Sequence, residues 1–175
     1  LYIGYRWFTA RHLEPAVPFG HGLSYASFEW GTPNVTGSQS TDLSSDVVVE
    51  VDVTNTSERS GTEVVQIYIA PPESTLHRPP IELKGYAKLS LKPGETKTAS
   101  ITLNFRSFAY FDPGDQFYNT LDANSPVPRE TGSRRTDPGW YAEPGIYDLV
   151  VARSATNHHA VIEWELSGEE NYQHP

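Results

Sequence analysis

The recurrence of valine at every second position in the segment DVVVEVDVT constrains the fold of this chain most strongly. Four valines recur at every second position: Val47, Val49, Val51 and Val53. Side chains two residues apart on a β-strand point to the same face, so these valines predict one buried face. Glu50, Asp52 and Thr54 alternate with them and predict a polar opposite face. The segment is therefore expected to be a strand that lies against a core.

The same period of two returns in five further segments and indicates the fold class. These segments are TEVVQIYIA, IELKGYAKLSL, ETKTASITL, GIYDLVVA and AVIEWEL, and FEWGTPNV precedes the valine-rich strand. Turn-forming residues separate them, and no segment shows a convincing helical period. About seven short strands of this kind predict an all-β fold, an antiparallel β-sandwich of the immunoglobulin or fibronectin type III class.

The connections between the segments predict two β-hairpins. The polar loop NTSERSG joins the valine-rich strand to TEVVQIYIA, and KPGE joins the next pair with the Pro-Gly sequence of a type II turn. A second Pro-Gly turn is expected at EPGI. Tyr147 follows it and is expected to make a hydrogen bond back across the corner, as tyrosines of such sandwiches do.

Two segments stand apart from the strands of the predicted sandwich, which spans residues 28–175. Residues 1–27 contain a strand-like run, LYIGYRWF, followed by the segment VPFGHGLSYASF. Residues 111–145 form an insertion that is too long for an ordinary sandwich connection, and long loops of this kind are usually functional or disordered. Because the chain has no Met and begins within a pattern, we expect it to be a piece of a longer protein.

Composition excludes several classes of function. The net charge of −9 and the pI near 5.0 argue against a nucleic-acid partner, because binding to phosphates requires clustered Lys and Arg. No apolar run approaches the roughly 20 residues of a membrane-spanning helix. The absence of Cys excludes disulfides, zinc-thiolate sites and thiol chemistry.

Two pairs of carboxylates have a spacing that glycoside hydrolysis could use. Glu50 with Asp52, and Glu163 with Glu165, each lie two residues apart on a strand, which separates their Cα atoms by roughly 6.5 to 7 Å. Both pairs face away from the core, and nothing in the sequence predicts the apolar pocket that would raise one pKa. We therefore expect both pairs to be solvated surface groups.

The histidines, serines and glycines predict no further chemistry. His158 and His159 are adjacent in a predicted strand, so their side chains point to opposite faces and cannot share a metal ion. The serines lack the GxSxG pattern of a nucleophile elbow, and GHG lacks the third glycine of a dinucleotide-binding loop. We expect no catalytic residue, no metal site and no cofactor in this chain.

Four aromatic residues of the insertion have a less obvious role: Phe117, Tyr118, Trp140 and Tyr141. Exposed aromatic rings can stack on sugar rings or dock on a neighbouring domain. They can also fold back over one end of the sandwich and cover its core. We favour core coverage or domain docking over direct contact with sugar.

Two sequons are candidate sites of N-glycosylation. They are Asn34-Val35-Thr36 and Asn55-Thr56-Ser57, with Asn34 and Asn55 as the acceptors. They fit a secreted eukaryotic protein, but such triplets also arise by chance, and both interpretations stay open.

Three stretches of the sequence resemble family 3 glycoside hydrolases, the β-glucosidases and β-xylosidases. IGYRWF followed by EPAVPFGHGLSYASFEW resembles the segment that links the catalytic region of that family to its C-terminal domain. ELKGYAKLSLKPGETKTASITL and GIYDLVVARSATNH resemble parts of the family's fibronectin type III-like domain. The resemblance covers nearly the whole chain, although residues 111–145 are longer and match less well.

The resemblance implies a non-catalytic module. In that family the nucleophilic aspartate and the acid/base glutamate lie in upstream domains, so this chain is expected to lack both and to be inactive alone. Residues 1–27 would be the end of the preceding catalytic α/β domain and the interdomain linker. The catalytic domains of the same enzyme would be its partners, in retaining hydrolysis of terminal β-glycosides. The enzyme would be secreted, extracellular or periplasmic.

In this interpretation VPFGHGLSYASF is part of the joint between the two bodies. Pro18 ends the preceding structure, and Gly20 and Gly22 allow positive φ angles. His21 is expected to be a hydrogen-bonded fixture rather than a catalyst. The complete set of expected joint residues is Tyr5, Arg6, Phe19, Gly20, His21, Gly22 and Tyr25.

Two alternatives from other classes of function remain. One is a free-standing module that binds β-glucan or an oligosaccharide through Trp140, Tyr141 and the insertion. The other is an assembly module whose sheet edges pair with further copies of the chain.

Overall fold

Eleven β-strands and two short helices lie in the part of the chain that this computed structural model describes, residues 1–72, 78–114 and 136–173. Helix α1 is Tyr5–Ala10 and helix α2 is Phe105–Phe108. The strands, in chain order, are β1 (Phe28–Trp30), β2 (Asn34–Thr36), β3 (Val47–Asn55), β4 (Gly61–Ala70), β5 (Glu82–Leu91), β6 (Thr96–Leu103), β7 (Tyr110–Asp112), β8 (Gly139–Ala142), β9 (Gly145–Ser154), β10 (Asn157–Leu166) and β11 (Asn171–Gln173). Within these ranges, no helix is long and apolar enough to cross a membrane.

The strands form two four-stranded sheets and one three-stranded sheet, with antiparallel pairing between strands throughout. In the first sheet β3 pairs with β6 on one side, and with β1 and then β2 on the other. The second sheet has the order β10-β9-β4-β5. The third sheet, β11-β8-β7, contains strands that the sequence pattern did not predict, and β7 and β8 lie near the two ends of residues 111–145.

The main core lies between the two four-stranded sheets. Every second residue of β3 from Val47 to Val53 is fully buried, as the alternation predicts. Val65, Ile67 and Ile69 of β4 pack into the same core from the second sheet. The predicted antiparallel β-sandwich is therefore confirmed.

The two predicted hairpins are wrong, because each proposed pair is divided between the two sheets. Strand β3 pairs with β6, whereas β4 pairs with β5 and β9. The loops NTSERSG and KPGE therefore cross from one sheet to the other, a gap of about 10 Å in such sandwiches. The two segments of each proposed hairpin face each other across the core with their apolar sides. This arrangement buries the same residues as a hairpin would, so both are compatible with the same sequence pattern.

The type II turn at KPGE and the hydrogen bond of Tyr147 are confirmed, whereas at EPGI the φ of Gly145 is 146° and does not fit a type II turn. Gly94 has a φ of 70°, and the N–H of Glu95 donates to the carbonyl of Lys92 at 3.0 Å, as a Pro-Gly type II turn requires. The hydroxyl of Tyr147 donates to the carbonyl of Glu143 at 2.8 Å, which is the predicted hydrogen bond across the corner.

The predicted strand within LYIGYRWF is also wrong, because Tyr5–Ala10 forms helix α1. The N–H groups of Trp7 and Phe8 donate to the carbonyl of Gly4 at 3.1 and 3.3 Å. Six residues of mixed aromatic and polar character are too few for periodicity to separate a helix from a strand.

Helix α1 ends in a Schellman motif. The N–H of Leu13 donates to the carbonyl of Phe8 at 2.9 Å, and the N–H of His12 donates to the carbonyl of Thr9 at 3.2 Å. His12 takes the left-handed position with a φ of 53°, where glycine is the usual residue. The motif reverses the chain, so that residues 13–19 run back along the helix and line one groove with it.

The middle of the second sheet is buried on both faces. Tyr68 of β4 and Val150 and Ala152 of β9 point away from the main core, yet all three are buried. They form a second cluster with Tyr5 of α1 and with Leu83. Residues 1–19 therefore cover the outer face of this sheet.

Candidate interdomain joint

Tyr5 anchors helix α1 to the outer face of the second sheet. Its ring stacks on Phe19, with ring centroids 4.9 Å apart, and meets the edge of Tyr68 at 5.7 Å. Its hydroxyl oxygen accepts a hydrogen bond from the backbone N–H of Leu83 at 2.8 Å. Both ends of this side chain are therefore fixed, and α1 cannot slide along the sheet without breaking the hydrogen bond.

Gln66 connects the sheet to the segment PFG. Its Nε2 donates to the carbonyl of Arg153 at 2.8 Å and to that of Gly20 at 3.4 Å. Its Oε1 accepts from the hydroxyl of Tyr68 at 2.6 Å. Burial is the main cause of a raised pKa at Tyr68, and the nearby Tyr5 raises this pKa further. The phenol therefore stays protonated and donates at neutral pH. The N–H of Ala155 adds a hydrogen bond of 2.9 Å to the carbonyl of Phe19.

Gly20 has the positive φ that the sequence predicts, 83°, whereas Gly22 does not. A Cβ on Gly20 would also collide with the side chain of Gln66. A Cβ on Gly22 would have no atom within 4 Å. Only the first glycine of GHG is therefore required by the fold of this chain.

Arg6 joins α1 to strand β5 through Glu82. Its Nη2 lies 3.3 Å from one oxygen of Glu82, and Lys84 and Arg78 lie 3.2 and 3.5 Å from the other. Burial alone would raise the pKa of Glu82. The positive charges of Lys84, Arg78 and Arg6 lower this pKa by more than burial raises it. The pKa of Glu82 is therefore below its usual value.

Arg153 holds the other end of the linker, where it enters β1. Its Nη1 lies 2.8 Å from an oxygen of Glu63, and its Nη2 donates to the carbonyl of Phe28 at 3.0 Å. Its guanidinium carbon lies 4.4 Å from the centroid of the Trp30 ring. Between these two fixed ends, residues 18–28 line a cavity of about 640 Å³.

The middle of the linker is exposed in this chain, and the role expected for His21 in the joint stays a prediction. Its backbone N–H donates to the carbonyl of Pro18 at 3.1 Å, but within the described ranges its imidazole makes no hydrogen bond. Leu23 and Tyr25 are each 93% exposed. Of the expected joint residues, Tyr5, Arg6, Phe19 and Gly20 come together on the sheet, while His21, Gly22 and Tyr25 point away from it.

Large exposed apolar side chains are concentrated in residues 1–25. They are Leu1, Ile3, Trp7, Phe8, Leu13, Val17, Phe19, Leu23 and Tyr25. Four of them, Phe8, Leu13, Val17 and Phe19, line an apolar groove of about 430 Å³ between the linker and the turn from β9 to β10. We call this set the joint face. Contiguous apolar surface of this kind marks an interaction site.

The outer face of the first sheet has the opposite character. Its exposed positions on β6 include Thr98, Ser100 and Thr102, and Asp52 of β3 accepts a hydrogen bond from Thr98 at 2.6 Å. Asp52 and its neighbour Glu50 are thus part of a polar surface. The apolar side chains of the joint face lie instead in residues 1–25, on the side of the second sheet.

The aromatic residues of the insertion divide into two pairs. Phe117 and Tyr118 lie outside the described residues. Trp140 is half-buried, with the guanidinium carbon of Arg106 4.8 Å from its ring centroid and the Phe111 ring at 5.6 Å. Tyr141 is buried and donates to the carbonyl of Asp137 at 2.8 Å. In this arrangement the Trp140 and Tyr141 rings pack against protein groups.

The two sequons differ in accessibility. Asn34 is exposed on β2, while Asn55 is fully buried. The Nδ2 of Asn55 donates to the carbonyls of Arg59 at 2.7 Å and Leu91 at 3.2 Å. A glycan on this nitrogen is incompatible with the folded crossover, so Asn34 is the only one of the two that fits.

The remaining candidates do not assemble into a site. Glu163 and Glu165 are exposed on β10. His158 and His159 contact different carbonyls, those of Ala155 at 3.1 Å and Gly31 at 2.8 Å. Among the described residues, no three His, Asp or Glu side chains are grouped as a metal ion would require.

Sequence reasoning missed the residues of β4 and β5 that hold the linker: Gln66, Tyr68, Glu82 and Lys84. The signal was present in VVQIYIA and DLVVA, because consecutive apolar residues indicate a strand covered on both faces. In a strand with one face exposed to solvent, apolar and polar residues would alternate along the whole length.

Comparison with known proteins places this arrangement in a family. The fibronectin type III-like domain matches residues 63–155. The chain is 43% identical to the thermostable β-glucosidase B of Acetivibrio thermocellus over 89% of its length, and 38% identical to a β-glucosidase of Rhizobium radiobacter over 95%. It spans only 18% and 17% of those two proteins.

The structural comparison agrees with these matches. The structure of β-glucosidase 3B from Thermotoga neapolitana in complex with glucose superposes with a TM-score of 0.78 at 29% identity. The match covers 99% of this chain and 20% of that one. The chain therefore belongs to the fibronectin type III-like domain family, and its relatives carry this domain as a portion of much longer family 3 β-glucosidases.

Proposed function

We propose that this chain is the non-catalytic, C-terminal module of a family 3 glycoside hydrolase of the β-glucosidase type, and that it braces the catalytic domains. The longer enzyme is called the parent enzyme below. Residues 1–27 are the end of the preceding domain and the linker, and residues 28–175 are the sandwich. The parent enzyme hydrolyses terminal β-glycosides with retention, using catalytic carboxylates that lie upstream.

The observation that carries this proposal is the joint face. One sheet of the sandwich is polar outside, and the other is covered by a linker in which Leu23 and Tyr25 are each 93% exposed in this chain. Fully burying a side chain such as Leu23 stabilises by about 2 kcal/mol. Docking this face on a second body would therefore supply a substantial interdomain interaction.

An activity assay tests the non-catalytic part of the proposal. The purified chain is expected to give no turnover of an aryl β-glucoside, because the described residues hold no pair of carboxylates in an apolar pocket. The parent enzyme serves as the positive control. Turnover by the pure chain above the buffer rate would contradict the proposal.

A carbohydrate-binding module is the alternative function, and titration with soluble β-glucan separates the two. We expect no binding, because Trp140 is covered by Arg106 and Phe111 and Tyr141 is buried. Binding that Trp140→Ala abolishes would favour the alternative. For the parent enzyme we propose a location outside the cell, and the exposed sequon at Asn34 is compatible with it.

A further inference from the structure

Three of the edges of the two four-stranded sheets carry features that oppose pairing with another chain. Strand β5 has a bulge at Lys84, where its register with β4 shifts, and it also carries Lys88. Strand β10 has two register shifts near His158 and carries two exposed glutamates. Strands β1 and β2, which share one edge, have three residues each. Bulges, charged side chains and short strands all hinder the addition of a further strand to a sheet edge.

Strand β6, at the remaining edge, lacks these features. It pairs with β3 over eight residues without a register shift, and it contains no Pro or Gly. Lys97 is its only charged residue. Every second residue of such a strand turns its N–H and C=O away from the neighbouring strand. In the part of the chain that the structure describes, β6 forms no backbone hydrogen bonds beyond its ladder with β3. It is therefore a long, regular and open edge.

The exposed side chains of β6 are compatible with a further strand. Thr98, Ser100 and Thr102 are small hydroxyl residues on the solvent side, while the residues between them are buried in the main core. Threonine is favoured in strands, and hydroxyl side chains opposite each other on neighbouring strands stabilise the pair. The edge thus offers both unpaired backbone groups and suitable side chains.

A second copy of this chain matches the edge, because β6 is complementary to itself. When two copies of β6 run antiparallel about a two-fold axis at Ser100, each Thr98 lies opposite Thr102 of the second copy. In the same register Lys97 lies opposite Leu103 of the second copy. All opposed side chains on the solvent side are then hydroxyl residues, and no two charges of the same sign face each other.

We propose that β6 is a self-pairing edge, through which two copies of this chain form a dimer with one continuous antiparallel sheet. One pair of strands is a small interface, below the roughly 1,200 Å² of standard complexes, so the dimer is weak and depends on concentration. The joint face contains no residue of β6. The dimer therefore does not rest on the proposed function, and either proposal can fail without the other.

Sedimentation equilibrium of the 175-residue chain tests the dimer. Between about 10 µM and about 1 mM, the weight-average mass should rise from 19.5 kDa toward twice that value. Ser100→Lys should raise the dimer Kd several-fold, because two lysines then lie opposite each other. Ser90→Lys is the matched control, since it adds the same charge at an exposed position of β5, and it should leave Kd unchanged. A constant mass of 19.5 kDa, or equal effects of the two variants, would overturn the proposal.

A mixture of two variants tests the register. Ser100→Lys and Ser100→Glu should each dimerise more weakly than the unsubstituted chain, because each places like charges at the two-fold axis. Their equimolar mixture should recover dimer formation, since a lysine then faces a glutamate. A mixture no more dimeric than its two components would contradict a two-fold axis at Ser100.

Amide hydrogen exchange of the unsubstituted chain covers the case in which the variants do not fold. At the highest concentration of the series, those N–H groups of β6 that point away from β3 should exchange several-fold more slowly than at the lowest. The N–H groups of β5 should exchange at the same rate at both concentrations. Rates in β6 that do not change with concentration would overturn the proposal.

Discussion

At the scale of single residues, Gly20 and Gln66 form the contact that fixes the linker to the sandwich. The positive φ of Gly20 brings its backbone against the amide of Gln66, which in turn is bonded to β9 and to Tyr68. Gln66 is a polar residue on a strand face that would otherwise be apolar. Its burial is explained by these hydrogen bonds, since each of its polar atoms has a partner.

Gly20→Ala is predicted to destabilise the chain by about 2 kcal/mol, because alanine is strained at this φ and its Cβ would displace Gln66. Urea unfolding measures the change. Gly22→Ala is the matched control and should stay within about 0.5 kcal/mol, since a Cβ there meets no other atom. Equal effects at the two glycines would show that the PFG segment is not fixed as described.

A second prediction concerns the sequons. When the chain is expressed through a eukaryotic secretory pathway, Asn34 should carry an N-glycan and Asn55 should not, because the Asn55 amide is buried and donates two hydrogen bonds. Intact mass before and after enzymatic deglycosylation measures occupancy. Asn34→Gln should remove the whole mass difference. A glycan found on Asn55 in folded protein would contradict the structure of the crossover from β3 to β4.

At the scale of elements, α1 is held to the second sheet by two side chains, Tyr5 and Arg6. The Tyr5 ring meets Tyr68 and its hydroxyl accepts a hydrogen bond from the backbone N–H of Leu83. Arg6 forms an ion pair with Glu82. A helix of six residues has little stability of its own, so these contacts maintain it.

Glu82→Gln is predicted to destabilise the chain at pH 7 by about 3 kcal/mol, because it leaves three buried cations without their carboxylate. The pKa of Glu82 is lowered in the folded chain. Its contribution is therefore complete above the unfolded pKa and is lost as pH falls through the lower, folded pKa. Denaturant unfolding from pH 7 to pH 3 should show the difference between wild type and variant shrinking with acidity.

Glu95→Gln provides the comparison for this experiment, because Glu95 pairs with Lys97 at the exposed KPGE turn. Its effect should be much smaller at pH 7. A loss at Glu82 that did not change with pH would mean that packing, rather than charge, links α1 to β5.

The sequence predicted the elements better than their connections. The alternating valines define the buried face of β3 whichever strand pairs with it. The sequence pattern was therefore enough to predict the sandwich but not the strand pairing. The loop NTSERSG is compatible with a hairpin and with a crossover, because both bury the same apolar residues. The role of Arg6 depended on Glu82, 76 residues away, and no local pattern links the two.

At the scale of the whole molecule, the two outer faces of the sandwich determine how it can be used. The first sheet presents threonines, serines and carboxylates to water. The second sheet is covered by residues 1–19, whose own apolar side chains remain exposed. We propose that the second sheet is the docking side of the module, that the first sheet faces solvent, and that the linker is part of the interface.

The most direct test of this account replaces two linker residues that make few contacts in the chain itself. Leu23→Ala combined with Tyr25→Ala should leave the isolated chain unchanged within about 0.5 kcal/mol, since both side chains are 93% exposed. In the parent enzyme the same pair should cost about 2–4 kcal/mol, because docking buries them. Thr102→Ala, on the polar face, should be neutral in both. Unchanged thermal stability of the parent enzyme with the double substitution would contradict the account.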